Sequence, residues 1–191
     1  MRLFVAVNLP AEERRRAWDA AEPLRSARLP VRWVGEDALH LTLRFLGEVG
    51  EDRVAPIAEA LRGAVGGARS FAVTLGGVGA FPSVARPRVV WLGVERHPAL
   101  ELLANDVELA LQAFAFEPEL RPFSPHLTLG RVERGARPAA FRDFARLAEA
   151  ISYEGMTTVE SVDLMRSTLG PHGAAYRALA RAPLEAGGGD R

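Results

Sequence analysis

Two copies of the tetrapeptide His-Leu-Thr-Leu carry the side chains of this sequence that are best suited to moving protons. They begin at His40 and His126, a separation of 86 positions (126 − 40). Side chains alternate between the faces of a strand, so each histidine shares a face with its threonine and the leucines take the opposite face. Because the leucines would anchor each strand in a core, we predict that one cleft is lined by His40, Thr42, His126 and Thr128.

Two imidazoles and two hydroxyls facing one point suit the chemistry of phosphate esters. The ordinary pKa of histidine, near 6.5, lets a neutral imidazole accept a proton from water while an imidazolium protonates the leaving oxygen. Threonine hydroxyls can donate hydrogen bonds to non-bridging oxygens, where the transition state holds negative charge. The paired motifs therefore predict acid–base catalysis on a phosphate ester.

Two arginines that follow the motifs are candidates for binding the same phosphate, because guanidinium groups match phosphate oxygens well. In a regular strand Arg44 shares the face of the first histidine, although a solvated surface charge is the alternative for this residue. Arg131 has the wrong parity for the face of the second motif. It reaches that face only if the strand ends or bulges near Gly130.

A lone histidine on a strand is more often a hydrogen-bonded structural residue than a catalyst, and threonine favours strands on steric grounds alone. The second copy of the motif shifts the balance toward a site. His97, before Pro98, and His172, in a Gly-Pro-His-Gly turn, lack such a partner, so we expect them to be loop residues. With no cysteine and no His-Glu-x-x-His, we predict no metal.

The composition excludes several other chemistries. The 191 residues contain no cysteine, and all 24 basic residues are arginine. Thiol nucleophiles, lysine Schiff bases, P-loop lysines and lysyl-nucleotide intermediates are therefore impossible. A formal net charge of zero argues against a protein that coats nucleic acid non-specifically, but leaves room for a local arginine-lined groove. No apolar run approaches the roughly 20 residues of a membrane span, and the first residues resemble a strand, so a cytoplasmic protein is expected.

Local patterns place both motifs on strands that alternate with helices. The predicted helices follow Pro10 or cover 52–65, 98–114 and 138–150, and the predicted strands cover 2–8, 40–46, 70–75, 88–94, 126–132, 156–165 and 174–181. A shift of 86 positions superposes most of these elements, so the halves at about 1–80 and 87–165 are read as a duplication. We predict a single α+β domain over 1–185, with two pseudo-symmetric lobes, mainly antiparallel sheets, outer helices and a central cleft. Residues 186–191 are expected to form a disordered tail.

These residues resemble the two-histidine phosphoesterase superfamily, whose members carry a His-x-Thr/Ser motif in each lobe. The closer similarity is to its bacterial and archaeal branch, the RNA 2′,3′-cyclic phosphodiesterases, also called 2′-5′ RNA ligases. The resemblance covers nearly the whole chain. Besides the motifs, it rests on 2–7, Trp33-Val34, 44–47, 79–82, 86–91, 123–125, 167–169 and 173–176.

The resemblance implies metal-independent opening of a terminal 2′,3′-cyclic phosphate on RNA to a 2′-phosphomonoester, without a cofactor. By motif, His40 would be the proton donor to the departing 3′ oxygen and His126 the proton acceptor, an assignment that the motifs leave open. Thr42, Thr128 and Arg131 would bind the phosphate. An RNA 5′-hydroxyl in place of water would give 2′-5′ ligation without ATP.

The partners implied by the resemblance are RNA ends with a 2′,3′-cyclic phosphate, tRNA fragments among them, bound by a monomer that does not enter membranes. Phe45 and Phe81 are candidates to stack on the terminal base, although regular strand parity argues against Phe45. Two alternatives stay open. The substrate could be a small nucleotide such as an ADP-ribose cyclic phosphate, or the protein could be a non-catalytic module that binds RNA ends.

Overall fold

The strands follow the apolar patterns of the sequence. In a computed structural model, which describes residues 1–170 and 173–187, they form one nine-stranded sheet with the order β7-β4-β5-β6-β3-β1-β8-β9, and β2 pairs with β6. These strands all pair in antiparallel fashion. The strands are β1 Arg2–Asn8, β2 Val31–Trp33, β3 His40–Glu48, β4 Phe71–Ser83, β5 Arg86–Val94, β6 His126–Val132, β7 Glu154–Val159, β8 Ser161–Gly170 and β9 Gly173–Pro183.

Five α-helices connect these strands within the described residues: α1 Ala11–Ala20, α2 Glu22–Ser26, α3 Val54–Val65, α4 Pro98–Gln112 and α5 Phe144–Glu149. The two longest place leucine, isoleucine and valine three or four positions apart, so each helix buries one apolar stripe. None of the described helices is long and apolar enough to cross a membrane. The predicted α+β class with an antiparallel sheet and outer helices is confirmed.

The structure tests the predicted loop position of only one of the two histidines outside the motifs. His97 precedes Pro98, which begins α4, and its Nδ1 accepts a hydrogen bond from the backbone N–H of Ala99 at 3.2 Å. Its ring also stacks on Phe71, with centroids 5.1 Å apart. His97 is therefore a loop residue with a structural task, the capping of a helix. His172 lies outside the described residues, as do 188–191 of the expected tail.

The sheet crosses between the two halves of the sequence. β4, from the first half, pairs with β5 and β7, whereas β8 lies against β1. The predicted strand at 156–165 is two strands that separate at Glu160. Conversely, β4 continues beyond Gly76-Gly77 because a register shift between Leu75 and Val78, with Gly77 at φ +69°, bends the strand without ending it.

Gly130 of β6 is required by close packing. A Cβ at this position would lie 2.5 Å from Cγ1 of Val31 and 3.0 Å from the Trp33 ring. We expect Gly130→Ala to lower the free energy of unfolding by about 1–3 kcal/mol. The matched control is Gly63→Ala in α3, where a Cβ meets open space, and it should raise stability by about 0.5–1 kcal/mol. Urea denaturation measures both, and equal stabilities would contradict the packing.

Candidate active site

The two motifs meet at the centre of the sheet. β3 and β6 pair at Leu41 and Leu127, which are 2% and 0% exposed. Antiparallel pairing at this point sets His40 opposite Thr128 and Thr42 opposite His126. Residues that face each other across strands share one face, so the structure brings all four polar side chains together on the face opposite the buried leucines.

Both histidines are held by the same backbone contact. The Nδ1 atom of His40 lies 2.8 Å from the carbonyl oxygen of Ala38, and that of His126 lies 2.7 Å from the carbonyl oxygen of Ser124. A carbonyl can only accept, so Nδ1 carries the proton and the lone pair of the neutral ring is on Nε2. Neither Nε2 has a hydrogen-bond partner among residues 1–170 and 173–187. Each ring is therefore free to accept or donate a proton through Nε2.

Aromatic side chains enclose both imidazoles. The His40 ring lies 4.8 Å from Phe4 and meets Tyr176 edge-on at 4.9 Å between centroids. The His126 ring meets Phe81 edge-on, also at 4.9 Å. These contacts remove water from the rings and so disfavour their charged forms.

The pKa values follow from this enclosure. Burial lowers the pKa of His40 to about 4, with smaller contributions from the charges of His126 and Arg131, against the opposing effect of the Ala38 carbonyl. Burial likewise lowers the pKa of His126, and Arg131 adds to the effect. Both imidazoles are therefore neutral at pH 7 in the unliganded protein. An anion in the cleft would raise both pKa values and favour protonation of one ring.

A bulge brings Arg131 onto the face of the second motif. Thr128 pairs with Trp91 and Arg131 pairs with Val89, so the register shifts by one residue at Leu129. Because Trp91 and Val89 are two apart on β5, their partners share a face. The bulge that Arg131 needs in order to reach this face is thus present, at Leu129 rather than at Gly130.

Arg131 lies within electrostatic reach of the whole cleft. Its charge adds to the lowering of the pKa of His40 and of His126 by burial, and it opposes the rise that burial gives to the pKa of Tyr176. No carboxylate of the described residues forms an ion pair with it. The hydroxyls of Thr42 and Thr128 likewise have no partner in that part of the chain. One cation and two hydroxyls are therefore available to an anion beside the imidazoles.

Arg44 does not share the face of His40, and the prediction from regular parity is wrong. The register of β3 against β1 shifts at Leu43, which turns Arg44 to the helix-covered face. There its Nε lies 2.8 Å from a carboxylate oxygen of Glu108 in α4, and its NH1 lies 3.6 Å from Glu119. Arg44 is a structural residue that ties β3 to the helix and to the segment after it.

The ion pairs of Arg44 should contribute to stability. Its side chain is 12% exposed, so we expect Arg44→Gln to lower the free energy of unfolding by about 1–3 kcal/mol through the loss of these ion pairs and of its hydrogen bond to the carbonyl oxygen of Glu117. Arg62→Gln is the control, because the pair of Arg62 with Glu59 is exposed on α3 and should contribute about 0–1 kcal/mol. Thermal unfolding of the two variants measures the difference; equal effects would contradict this account.

The same bulge moves Phe45 to the cleft face. Phe45 pairs with Phe4, the two rings are 6.0 Å apart, and Phe45 is 61% exposed. The parity argument against Phe45 is therefore wrong. The bulges at Leu43 and Leu129 are themselves 86 positions apart, so Phe45 of β3 occupies the position that corresponds to Arg131 of β6.

Sequence reasoning missed two residues that contact His40. Phe4 comes from β1 and Tyr176 from β9, which are distant in the chain. Both lie in segments that carry the family resemblance, but no periodicity links them to the motif. The carbonyl groups of Ala38 and Ser124 carried a usable signal, because they also differ by 86 positions. Within the described residues no group of three His, Cys, Asp or Glu side chains is arranged to hold a metal ion.

Comparisons with known proteins agree with this geometry. The sequence model of the 2′-5′ RNA ligase superfamily matches residues 12–171. An RNA 2′,3′-cyclic phosphodiesterase of Thermotoga maritima is 36% identical over 191 residues, which covers 98% of this chain and 97% of the relative. A crystal structure of a Thermus thermophilus protein superposes with a TM-score of 0.79 at 29% identity, covering 97% of this chain and 99% of the other. For Escherichia coli LigT complexed with 3′-AMP the values are 0.72, 31%, 96% and 97%. The chain therefore belongs to the 2′-5′ RNA ligase superfamily of two-histidine phosphoesterases.

Proposed function

We propose that this protein hydrolyses the 2′,3′-cyclic phosphate at the end of an RNA to a 2′-phosphomonoester, without a metal or a nucleotide cofactor. The observation that carries the proposal is the pair of imidazoles at the β3–β6 seam, each fixed through Nδ1 and free at Nε2. Relatives of nearly equal length carry the name of this activity.

The two imidazoles supply an acid and a base on opposite sides of one phosphorus atom. Displacement at phosphorus places the attacking and leaving oxygens roughly in line, which suits two groups related by a pseudo-two-fold axis. Nε2 of His126 takes a proton from water as the new P–O bond forms. Protonated His40 gives its proton to the 3′ oxygen as the P–O3′ bond breaks. His126 ends protonated and His40 neutral, and exchange with solvent restores both.

The resemblance of the motifs supplies this assignment of acid and base. Burial lowers the pKa of His40 to about 4, so its imidazolium is a strong acid that forms only when the charge of the bound phosphate raises this pKa. His126 is less enclosed, which gives water access to its Nε2. Thr42, Thr128 and Arg131 would bind the non-bridging oxygens and stabilise the charge that they carry in the transition state.

The same site can join RNA ends. An RNA 5′-hydroxyl that replaces water gives its proton to His126 and forms a P–O5′ bond as the P–O3′ bond breaks. One phosphoester bond forms for each one lost, so no ATP is needed, and the product has a 2′-5′ linkage. Hydrolysis dominates where water is in excess.

An oligoribonucleotide with a 2′,3′-cyclic end, incubated with excess EDTA and no ATP, tests the proposal. Phosphorus NMR should show a 2′-phosphate that the protein alone produces. Loss of activity in EDTA would contradict metal independence. A 3′-phosphate product would show that the 2′ oxygen, and not the 3′ oxygen, is the leaving group. Turnover of an ADP-ribose cyclic phosphate without turnover of RNA would favour the small-nucleotide alternative. Binding of the RNA end without turnover of either substrate would favour the non-catalytic module.

We further propose that the protein acts as a monomer in the cytoplasm, on RNA ends that include tRNA fragments. Every side chain assigned to the reaction comes from a single chain, which supports a monomer. Light scattering on the eluting protein, with and without a cyclic-ended tRNA fragment, measures the stoichiometry. A dimer that forms only with RNA would contradict it.

A further inference from the structure

A second arginine lies on the cleft face beside Arg131. Arg32 of β2 stands directly opposite Arg131 of β6, where Cβ atoms of antiparallel partners are about 4.5–5.5 Å apart on the same face. Its neighbours Val31 and Trp33 lie over Gly130, on the other face of the sheet. Arg32 and Arg131 therefore extend side by side from the face that carries the second motif.

This pair is unfavourable in the free protein. Like charges directly opposite one another on neighbouring strands destabilise a sheet. Arg32 is exposed, and neither arginine forms an ion pair with a carboxylate in residues 1–170 and 173–187. Other arginines of this chain, such as Arg14 and Arg181, do have carboxylate partners. Two adjacent cations without counter-charges are best satisfied by a ligand that brings two negative charges.

The two arginines come from different strands. Arg131 is on β6 with the second motif, and its charge adds to the lowered pKa of both histidines. Arg32 is on β2, which lies along the same side of β6 as β3, at the level of Arg131 and past Thr128. It is therefore placed for an anion next to the one that reacts, and a substrate with a single phosphate would leave it unused.

We infer that Arg32 and Arg131 form a subsite for two consecutive phosphates of RNA. Arg131 holds the cyclic phosphate, and Arg32 holds the phosphodiester that links the terminal nucleotide to the preceding one. This inference rests on the proposed function and deepens it. It makes Arg32 a specificity residue, because an oligoribonucleotide gains a contact that a nucleoside cyclic monophosphate cannot make.

Arg32→Gln tests the subsite on two substrates, a cyclic-ended trinucleotide and a nucleoside 2′,3′-cyclic monophosphate. The variant should lower kcat/KM for the trinucleotide about tenfold, the effect of one charged hydrogen bond, and leave that for the mononucleotide unchanged. The slope of log kcat/KM against log salt concentration should become shallower by about 0.7 for the trinucleotide, one phosphate contact on a single strand. Arg15→Gln, on the exposed face of α1, is the control and should change neither substrate.

Each other outcome overturns the inference in a distinct way. If Arg32→Gln lowers kcat/KM equally for both substrates, or for neither, Arg32 does not bind the second phosphate. A preference of the unmodified protein for a pyrophosphate-containing cyclic nucleotide, lost in Arg32→Gln, would reassign the subsite to a small nucleotide. If the unmodified protein turns over neither RNA substrate, the proposed function fails. Fluorescence anisotropy with a labelled trinucleotide ending in a 2′-phosphate then decides the subsite, and an unchanged salt slope in Arg32→Gln would overturn it.

Discussion

His40→Ala and His126→Ala are each expected to lower kcat for hydrolysis of a cyclic-ended oligoribonucleotide by about 10²–10⁴-fold, the usual contribution of a general acid or base. KM should change little, because the phosphate keeps Arg131 and both threonines. Single-turnover kinetics with phosphorus NMR of the product measures the chemical step. His97→Ala removes an imidazole that caps α4 and stacks on Phe71, and should retain full activity.

The double variant sharpens this test. An acid and a base that act in one transition state are strongly non-additive, so His40→Ala with His126→Ala should be little slower than the worse single variant. Independent, multiplying losses would indicate that the two rings serve separate steps. Retained activity in either single variant would remove that histidine from the reaction.

Arg131→Gln is expected to lower kcat/KM by about 10²–10³-fold, as the loss of a preorganised group that stabilises transition-state charge usually does. Arg44 cannot replace this ionic contact, since it is held by Glu108 on the other face, and Arg32 is assigned above to the neighbouring phosphate. Arg131→Lys keeps the charge without the planar fork and should recover part of the loss. Activity that is unchanged in Arg131→Gln would show that the phosphate is bound elsewhere.

The same variant should move the pH profile. The reaction needs one protonated and one neutral imidazole, and in the free protein the pKa values of both rings lie below 6.5. The singly protonated pair therefore becomes scarce as the pH rises past the higher of the two values, and kcat/KM falls. Because the charge of Arg131 lowers both pKa values, Arg131→Gln should shift this fall to higher pH, and Arg131→Lys should not. Measurement of kcat/KM from about pH 4 to about pH 9 covers the titration of both imidazoles. If kcat/KM falls at the same pH in Arg131→Gln and Arg131→Lys, the charge of Arg131 does not set these pKa values.

Binding of the substrate should also shift the optimum. A phosphate anion beside the imidazoles raises their pKa values, so kcat, which reports the bound state, should reach its maximum at a higher pH than kcat/KM.

Simple alternation predicted the positions of His40 and Thr42 correctly because no bulge lies between them. It failed for Arg44 and Phe45 because the register shift at Leu43 depends on the pairing of β3 with β1, which a period of two does not contain. The bulge before Arg131 could be predicted from the chemistry of the site. A phosphate site needs a cation, and Arg131 follows the second motif but reaches its face only if the strand bulges. The walls of the cleft were less accessible to prediction. Phe4 and Tyr176 reach His40 only through the order of strands in the folded sheet, and sequence patterns describe elements rather than their neighbours.

The two halves predicted from the 86-residue shift are not separate in the sheet. The shift predicts two similar halves, but it does not say which half supplies the outer strands. β4 of the first half pairs with β5 of the second, and β8 with β9 extends the sheet beyond β1. The sheet thus combines strands from both halves.

The matched bulges bear on how the cleft distinguishes the two ends of a substrate. A site with perfect two-fold symmetry would accept the same molecule in two equivalent poses, and each imidazole would serve as acid in one pose and base in the other. This equivalence ends at the bulges. The bulge at Leu43 places an aromatic ring, Phe45, on the cleft face, whereas the bulge at Leu129 places a cation, Arg131, there. We therefore expect one half-site to stack on a base and the other to neutralise an anion, which would give the RNA a single direction of entry. On this interpretation the two motifs provide equivalent proton carriers, and the difference between Phe45 and Arg131 gives them unlike tasks.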